Sequence, residues 1–232
     1  MPKKKLVHFA ENDTFPHLFQ PRYHELLHGF FLRGKWHEGY FRNPNPVILE
    51  LGCGKGEYTV GLAETHPDRN YIGIDVKGAR LWRGCRTVAE KQMKNVAFIR
   101  TLVDHVGKLF APGEISGIWI TFPDPQPKKA WKRLTSPEFL EKYRSILRPG
   151  SILHLKTDNP GFYEYTIDVI REQGHKILAA TEDLYHSGIT DEVIGYRTFY
   201  EKMWLEQGMK ICYLKFVLAD AKEDRSGEPA DE

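Results

Sequence analysis

From Val47 onward, short apolar runs alternate with amphipathic stretches, and this alternation constrains the fold more than any other feature of the chain. The runs at 47–51, 71–75, 96–100, 115–120 and 151–157 are too short for buried helices and rich in Val, Ile and Leu, so they read as strands. Helices are expected over 57–65, 79–94, 136–147 and 161–173, with a short one after the third strand. Two late strands, near 176–181 and 211–218, flank an aromatic helical stretch from Tyr196 to Leu205. Strands alternating with helices build a mostly parallel sheet covered on both faces. The fold class is therefore α/β, a doubly wound domain over 46–218. Residues 1–45 read as an irregular N-terminal arm, broken by Pro16, Pro21 and Pro44, with one helix near 22–33.

Charge divides the chain unevenly. The net charge of +2 comes from 33 bases and 31 acids, but residues 219–232 hold six acids and two bases, which leaves a body of +6. That tail lacks large apolar residues and reads as disordered. A moderately basic body permits a nucleic-acid partner without requiring one. Three scattered cysteines, Cys53, Cys85 and Cys212, form neither a CxxC pair nor a disulfide framework, so a reducing, cytoplasmic setting is expected. The basic start, Met1-Pro-Lys-Lys-Lys, is followed by no apolar signal region, and no run is long enough to span a membrane.

Two strand ends carry the chemistry. The first strand leads into Glu50-Leu51-Gly52-Cys53-Gly54-Lys55-Gly56-Glu57, where Gly52, Gly54 and Gly56 allow a tight turn and close approach of a nucleotide-like ligand. The G-x-G-x-G spacing differs from the dinucleotide G-x-G-x-x-G. An acid just before the turn repels phosphate but suits an ammonium or sulfonium ligand such as S-adenosylmethionine. Asp75, closing the second strand, is placed to accept from a ribose diol, which fits a methyl donor and a nicotinamide cofactor alike. The fourth strand ends in Thr121-Phe122-Pro123-Asp124-Pro125-Gln126-Pro127-Lys128-Lys129-Ala130-Trp131-Lys132-Arg133. Its prolines stiffen the loop and hold Asp124 at a strand end, where ligands of open α/β sheets bind. Four bases, Lys128, Lys129, Lys132 and Arg133, follow closely. They read as a surface for a polyanion or as a merely solvated face.

Other candidates carry competing readings. Lys77, Arg80, Arg83, Arg86, Lys91 and Lys94 make the second helix basic, either as a solvated face or as a phosphate-binding surface continuous with the loop. His24-Glu25-Leu26-Leu27-His28 matches the H-E-x-x-H pattern of zinc proteases, but Gly29 ends the helix and no third ligand follows nearby. An ordinary amphipathic helix is expected there, and no metal. Thr157-Asp158 and Thr198-Phe199-Tyr200-Glu201 read as helix caps or as polar contacts to a base edge, with capping preferred.

Taken together, Phe122-Pro-Asp-Pro with Lys128, then Thr157-Asp158, then Thr198-x-x-Glu201 resemble the bacterial single-subunit tRNA (guanine-N7-)-methyltransferases over about 40–218. The resemblance implies a Rossmann-like class I S-adenosylmethionine-dependent methyltransferase acting on N7 of the variable-loop guanine. It implies that Glu50, Gly52, Gly54, Gly56, Asp75, Leu102 and Asp124 hold the methyl donor, with Asp124 at the catalytic centre. Lys128, Asp158, Thr198, Phe199, Tyr200 and Glu201 would bind tRNA, and no obligatory protein partner is evident. This chain departs from the family at Gln126-Pro127, often His or Trp, and at Leu102, often an acid. The second departure points to backbone groups near Leu102 as the adenine contact. The alternatives are a non-catalytic tRNA-binding adaptor and a methyltransferase for a small molecule or a protein.

Overall fold

The protein is described by a computed structural model covering residues 2–190 and 192–219, so the acidic stretch from 220 lies outside the described residues. In chain order the strands are β1 (Leu18–Phe19), β2 (Val47–Leu51), β3 (Asn70–Asp75), β4 (Val96–Arg100), β5 (Ile115–Thr121), β6 (Leu147–Thr157), β7 (Lys176–Thr181) and β8 (Cys212–Val217). They form one sheet in the order β1-β4-β3-β2-β5-β6-β8-β7. Strands β1 to β6 pair in parallel, and β8 runs antiparallel to both β6 and β7. The chain lays down β2, β3 and β4 outward, then returns to place β5 on the other side of β2. That reversal leaves a crevice at the carboxyl ends of β2 and β5, where doubly wound sheets bind ligands.

Side-chain alternation explains why the central strands look uniformly apolar. Leu49, Leu51, Ile72, Ile74, Ile118 and Ile120 point to one face, against α5 (Val106–Leu109), α6 (Pro137–Arg144) and α7 (Pro160–Glu172). Ile48, Tyr71, Phe98 and Trp119 point to the other, against α3 (Glu57–Thr65) and α4 (Gly78–Glu90). A parallel sheet buried on both faces needs apolar residues at every position, so periodicity gives way to continuous runs.

The segment before Pro46 differs from the irregular arm expected. Helix α1 (Pro2–Asn12) lies along α4, and β1 extends the sheet beside β4. The helix expected near 22–33 is only α2 (Tyr23–Leu27), and a π-helical turn follows at Trp36–Phe41. Trp36 is fully buried among Phe19, Phe30, Phe41 and Phe110. Its indole donates to the Leu109 carbonyl at 3.1 Å, while buried Glu114 accepts from the amides of Gly34 and Trp36 at 2.9 and 3.1 Å. Tertiary packing thus replaces periodicity here as the source of order. The basic helix also ends earlier than expected, at Glu90.

On the α4 side of the sheet, a segment running from the turn at Leu184–His186 through α8 (Phe199–Glu206) arches over the end of α3. Its fit depends on Gly61, where a Cβ would fall within the ring of Tyr196. Alanine normally favours a helix over glycine by about 1 kcal/mol, but here the clash reverses the sign. Gly61→Ala is expected to lower the thermal midpoint. Gly107→Ala, at an exposed position of α5 with only an ordinary 3.7 Å contact, is expected to raise or preserve it. Thermal unfolding followed by circular dichroism compares the two.

Candidate active site

The turn after β2 passes through Gly52, Gly54 and Gly56 at φ of 72°, 57° and 69°. Two of these glycines serve different ends. A Cβ on Gly56 would lie 2.5 Å from the Phe98 ring, so this glycine lets α3 close on the sheet. A Cβ on Gly54 meets nothing within 4 Å, so its backbone borders open space. The amides of Gly52 and Cys53 donate to the Ile74 carbonyl at 2.8 and 3.0 Å, tying the turn to β3.

Asp75, at the end of β3, is buried and rigidly oriented. One oxygen accepts from the Gly54 amide at 2.9 Å and the other from the Lys77 amide at 2.7 Å. Each oxygen retains acceptor capacity, as two vicinal hydroxyls would require. The Thr101 amide donates to the Asp75 carbonyl at 3.2 Å, which brings the end of β4 alongside. Leu102 follows there, half-exposed, as is Val76 after Asp75. Asp104, the nearby acid, is taken up by Lys142 at 2.8 Å.

Glu50 lies deepest. It accepts from the Thr59 amide at 2.7 Å and the Thr59 hydroxyl on one oxygen, and from the Thr121 hydroxyl at 2.5 Å on the other. Burial pushes its carboxyl up to about 7, only partly offset by these hydrogen bonds, with Asp75 adding repulsion. Three acceptor positions are filled, and one remains for a cation. A cavity of about 300 Å³ opens here, lined by Glu50, Gly52, Gly54, Thr121, Phe122 and Tyr58 and roofed by Thr198, Tyr200 and Trp204.

The Phe122–Lys128 loop leaves β5 beside this cavity. Phe122 and Gln126 are held at φ of 48° and 44°, uncommon for residues with a Cβ. The Phe122 amide donates to the Lys156 carbonyl at 2.8 Å, and Asp124 accepts from the Gln126 amide at 3.1 Å. Asp124 and Lys128 are both exposed, on the loop rather than in the cavity wall. Arg133 turns inward instead, donating to the Pro125 carbonyl at 3.0 Å and stacking 4.2 Å from the Tyr165 ring centroid.

Thr198 caps α8 in a reciprocal box with Glu201, as a capping reading expects. Phe199 and Tyr200 are exposed at the rim, with the Lys55 ammonium 5.6 and 5.3 Å from their ring centroids. Glu201, by contrast, is fully buried. It pairs with Lys156 at 2.6 Å and accepts from the Tyr185 hydroxyl at 2.5 Å. Lys156 also donates to the Val193 carbonyl at 3.1 Å, and burial lowers its pKa against the pull of Glu201. At the end of β6, Thr157 is buried and Asp158 half-buried, while the α7 cap is Asn159, which accepts from the Phe162 amide at 2.8 Å. The cap thus falls one residue past Asp158.

Sequence reasoning missed Thr59, Thr121 and Lys156. Lys156 left a signal, since a charge in the apolar run Ile152-Leu153-His154-Leu155 demands a buried partner. His24 on α2 and His28 just past its end are exposed, and Glu25 accepts from the Arg22 amide at 2.5 Å.

This sheet order, with acids at the ends of two adjacent strands around a glycine turn, defines a class I methyltransferase. Solved structures agree in fold: the 16S rRNA methyltransferase KamB superposes with a TM-score of 0.61 at 16% identity, over 80% of this chain and 92% of that one. A SAM-dependent methyltransferase from Aquifex aeolicus gives 0.53 at 13% identity, over 75% and 82%. Residues 44–214 match the family described as putative methyltransferase. Curated tRNA (guanine-N(7)-)-methyltransferases are similar along most of the chain. That of Bacteroides fragilis is 48% identical, over 97% of this chain and 90% of its own length. Those of Christiangramia forsetii and Bacillus subtilis are 49% and 34% identical, over 93% and 77% of this chain and 98% and 83% of their own. The chain belongs to the tRNA (guanine-N(7)-)-methyltransferase family.

Two measurements probe the buried charges. Glu50 is raised above its ordinary value, so ionising it burdens the folded state as pH climbs from about 4.5 through about 7. Glu50→Gln is expected to leave stability near pH 4.5 almost unchanged and to add roughly 3 kcal/mol at pH 8, read by urea unfolding.

The second concerns Glu201→Ala, which strands the Lys156 ammonium. It is expected to cost about 3–5 kcal/mol, and the double substitution Lys156→Met with Glu201→Leu is expected to recover most of it. Wild-type stability in Glu201→Ala would show that the pair does not hold the arch.

Proposed function

We propose that this chain transfers methyl from S-adenosylmethionine to N7 of a guanine in tRNA, that the guanine lies in the variable loop, and that Asp124 serves the reacting centre. The observation that carries the reading is one cavity joining two kinds of wall. Glu50 and the open side of Gly54, whose amide is held by Asp75 just outside the lining, suit a cationic nucleoside, and Phe122, Tyr200 and Trp204 suit a planar base. Family membership over nearly the whole chain supports the same reading.

The donor, when bound, supplies an electrophilic methyl on sulfonium. Asp75 would hold its ribose hydroxyls, the backbone near Leu102 its adenine, and Glu50 its ammonium. Guanine N7 has a free lone pair at neutral pH, so no side chain needs to remove a proton before attack. The enzyme's contribution is then mostly orientation, for which about 7–11 kcal/mol is available in well-aligned cases. As the bond forms, the guanine ring becomes cationic. Asp124, fixed by Pro123, Pro125 and the Gln126 amide, opposes that charge. At about 4 Å and an effective dielectric constant near 20, the attraction is about 4 kcal/mol.

Lys128, Asp158, Thr198, Phe199 and Tyr200 are assigned to tRNA; Thr198 and Tyr200 line the cavity, and Phe199 and Tyr200 offer exposed ring faces. Glu201 acts on tRNA through the arch it anchors, since its carboxylate is fully enclosed. No described helix is long and apolar enough to cross a membrane, and the cytoplasm is the proposed site of action.

Incubation with labelled donor and bulk tRNA is expected to yield 7-methylguanosine on nucleoside analysis. Label in a small molecule or a protein, or tRNA binding without label transfer, would select a different reading. Asp124→Ala is expected to lower single-turnover rates by at least about a hundredfold while tRNA affinity holds, consistent with loss of a preorganised charge. Lys128→Ala is expected to weaken tRNA binding and reduce the salt slope of log affinity by just under about one unit.

A further inference from the structure

We infer that the cleft between α3, α4 and the start of α8 carries the phosphate backbone of the bound tRNA, on the opposite side of Lys55 and Phe199 from the reaction cavity. This rests on the tRNA methyltransferase reading and names the surface that would bring the RNA to that site. The cleft has a volume of about 310 Å³ and shares Lys55 and Glu57 with the cavity lining, so the two are continuous around Lys55. Its cations come from separate elements: Lys55 on the glycine turn, Arg83 on α4 and Lys91 just past its end, and Arg197 and Lys202 at the arch.

These cations are not equivalent. Lys91 is paired with Glu64, and the Arg197 guanidinium lies 4.2 Å from the Tyr185 ring centroid, so both are engaged within the protein. Arg86, on the same helix, is paired with Glu90 at 2.8 Å. Arg83 and Lys202 are exposed and, among the described residues, form no ion pair. Of the two acids lining the cleft, Glu64 is paired with Lys91 and Glu57 already accepts from the Phe199 amide at 2.9 Å. Two unpaired cations on opposite walls of a concave surface make a cradle for a polyanion, with Phe199 exposed at its edge for stacking. A flat, solvated cationic face would require neither the concavity nor the placement on two walls.

The assignment divides α4. Arg83 faces the RNA, while Arg86, one turn on, is neutralised by its own helix. The test uses wild-type protein, the double variant Arg83→Ala with Lys202→Ala, and Arg86→Ala as a same-helix control. Affinity for unmodified tRNA is measured over a salt series, and donor affinity by calorimetry. The double variant is expected to bind tRNA more weakly, with a salt slope smaller by about 1.4 to 1.8 units for two lost phosphate contacts, and to keep wild-type donor affinity. Arg86→Ala is expected to match wild type in all three. Unchanged tRNA affinity and slope in the double variant, with wild-type protein still forming 7-methylguanosine in tRNA, would overturn the cleft assignment alone. An equal loss in Arg86→Ala would also overturn it, by making the effect one of general charge. Wild-type protein that forms no 7-methylguanosine would overturn the functional reading, and the cleft with it.

Discussion

A carboxylate taken out of water at the end of a central strand is destabilising unless its oxygens find donors, and Glu50 finds three. The amide and hydroxyl of Thr59 come from α3 and the hydroxyl of Thr121 from the end of β5, so one side chain joins three elements around the crevice. The cost is still incomplete in its compensation, because burial keeps the carboxyl near neutrality in its titration. A protein selected for stability alone would place an amide or an apolar residue there. A site that must receive a cation gains from a carboxylate whose charge is under-compensated until the ligand arrives. Thr121, at the end of β5, immediately precedes the Phe122–Asp124 loop, so the two walls of the cavity share an anchor.

The second buried charge obeys different rules. Lys156 and Glu201 are both fully enclosed, and each has further partners: the Val193 carbonyl accepts from Lys156, and Glu201 accepts from the Tyr185 hydroxyl and the Thr198 amide. Replacing such a pair by apolar residues is often neutral for stability, so its value lies in geometric specification. Here it specifies where α8 sits relative to β6, and hence where Thr198, Tyr200 and Trp204 roof the cavity. A roof held only by apolar packing, on a segment of short helical turns, would have many nearly equal positions. One short ion pair in a dry setting leaves one.

The fold was legible from Pro46 onward because a sheet buried on both faces writes its strands as apolar runs, and because glycine turns and prolines punctuate them. Residues 1–45 were not legible for the converse reason. Their order comes from Trp36 and its aromatic neighbours closing on α5, and from Glu114 accepting amides seventy-eight and eighty residues away in sequence, which no local pattern records. At the site, Glu50, Asp75 and Gly54 could be placed by strand ends alone. Glu201 could not: a glutamate three residues after a threonine reads as a capping partner or a ligand, and only the tertiary structure supplies Lys156 and Tyr185. The cap expected at Thr157-Asp158 fell on Asn159 because Thr157 is still paired in the ladder, opposite Cys212.

Charge is sorted by depth across this end of the sheet. Glu50 and Asp75 lie innermost, Asp124 stands on the loop beside them, and Lys55, Arg83, Lys128 and Lys202 lie outward. At physiological ionic strength fields between exposed charges fade over about 8 Å, so Arg83, Lys128 and Lys202 attract phosphate locally, while Lys55 and Arg80 line the cavity beside Glu50. Asp75 and, once ionised, Glu50 disfavour phosphate there and favour the cationic donor proposed above. An RNA held by its backbone at the rim can then offer only an uncharged base to the centre, and the base that gains positive charge on reaction is the one the acids favour. Selection of a nucleobase over its phosphate therefore follows from the arrangement of charge, before any hydrogen bond to a base edge is made.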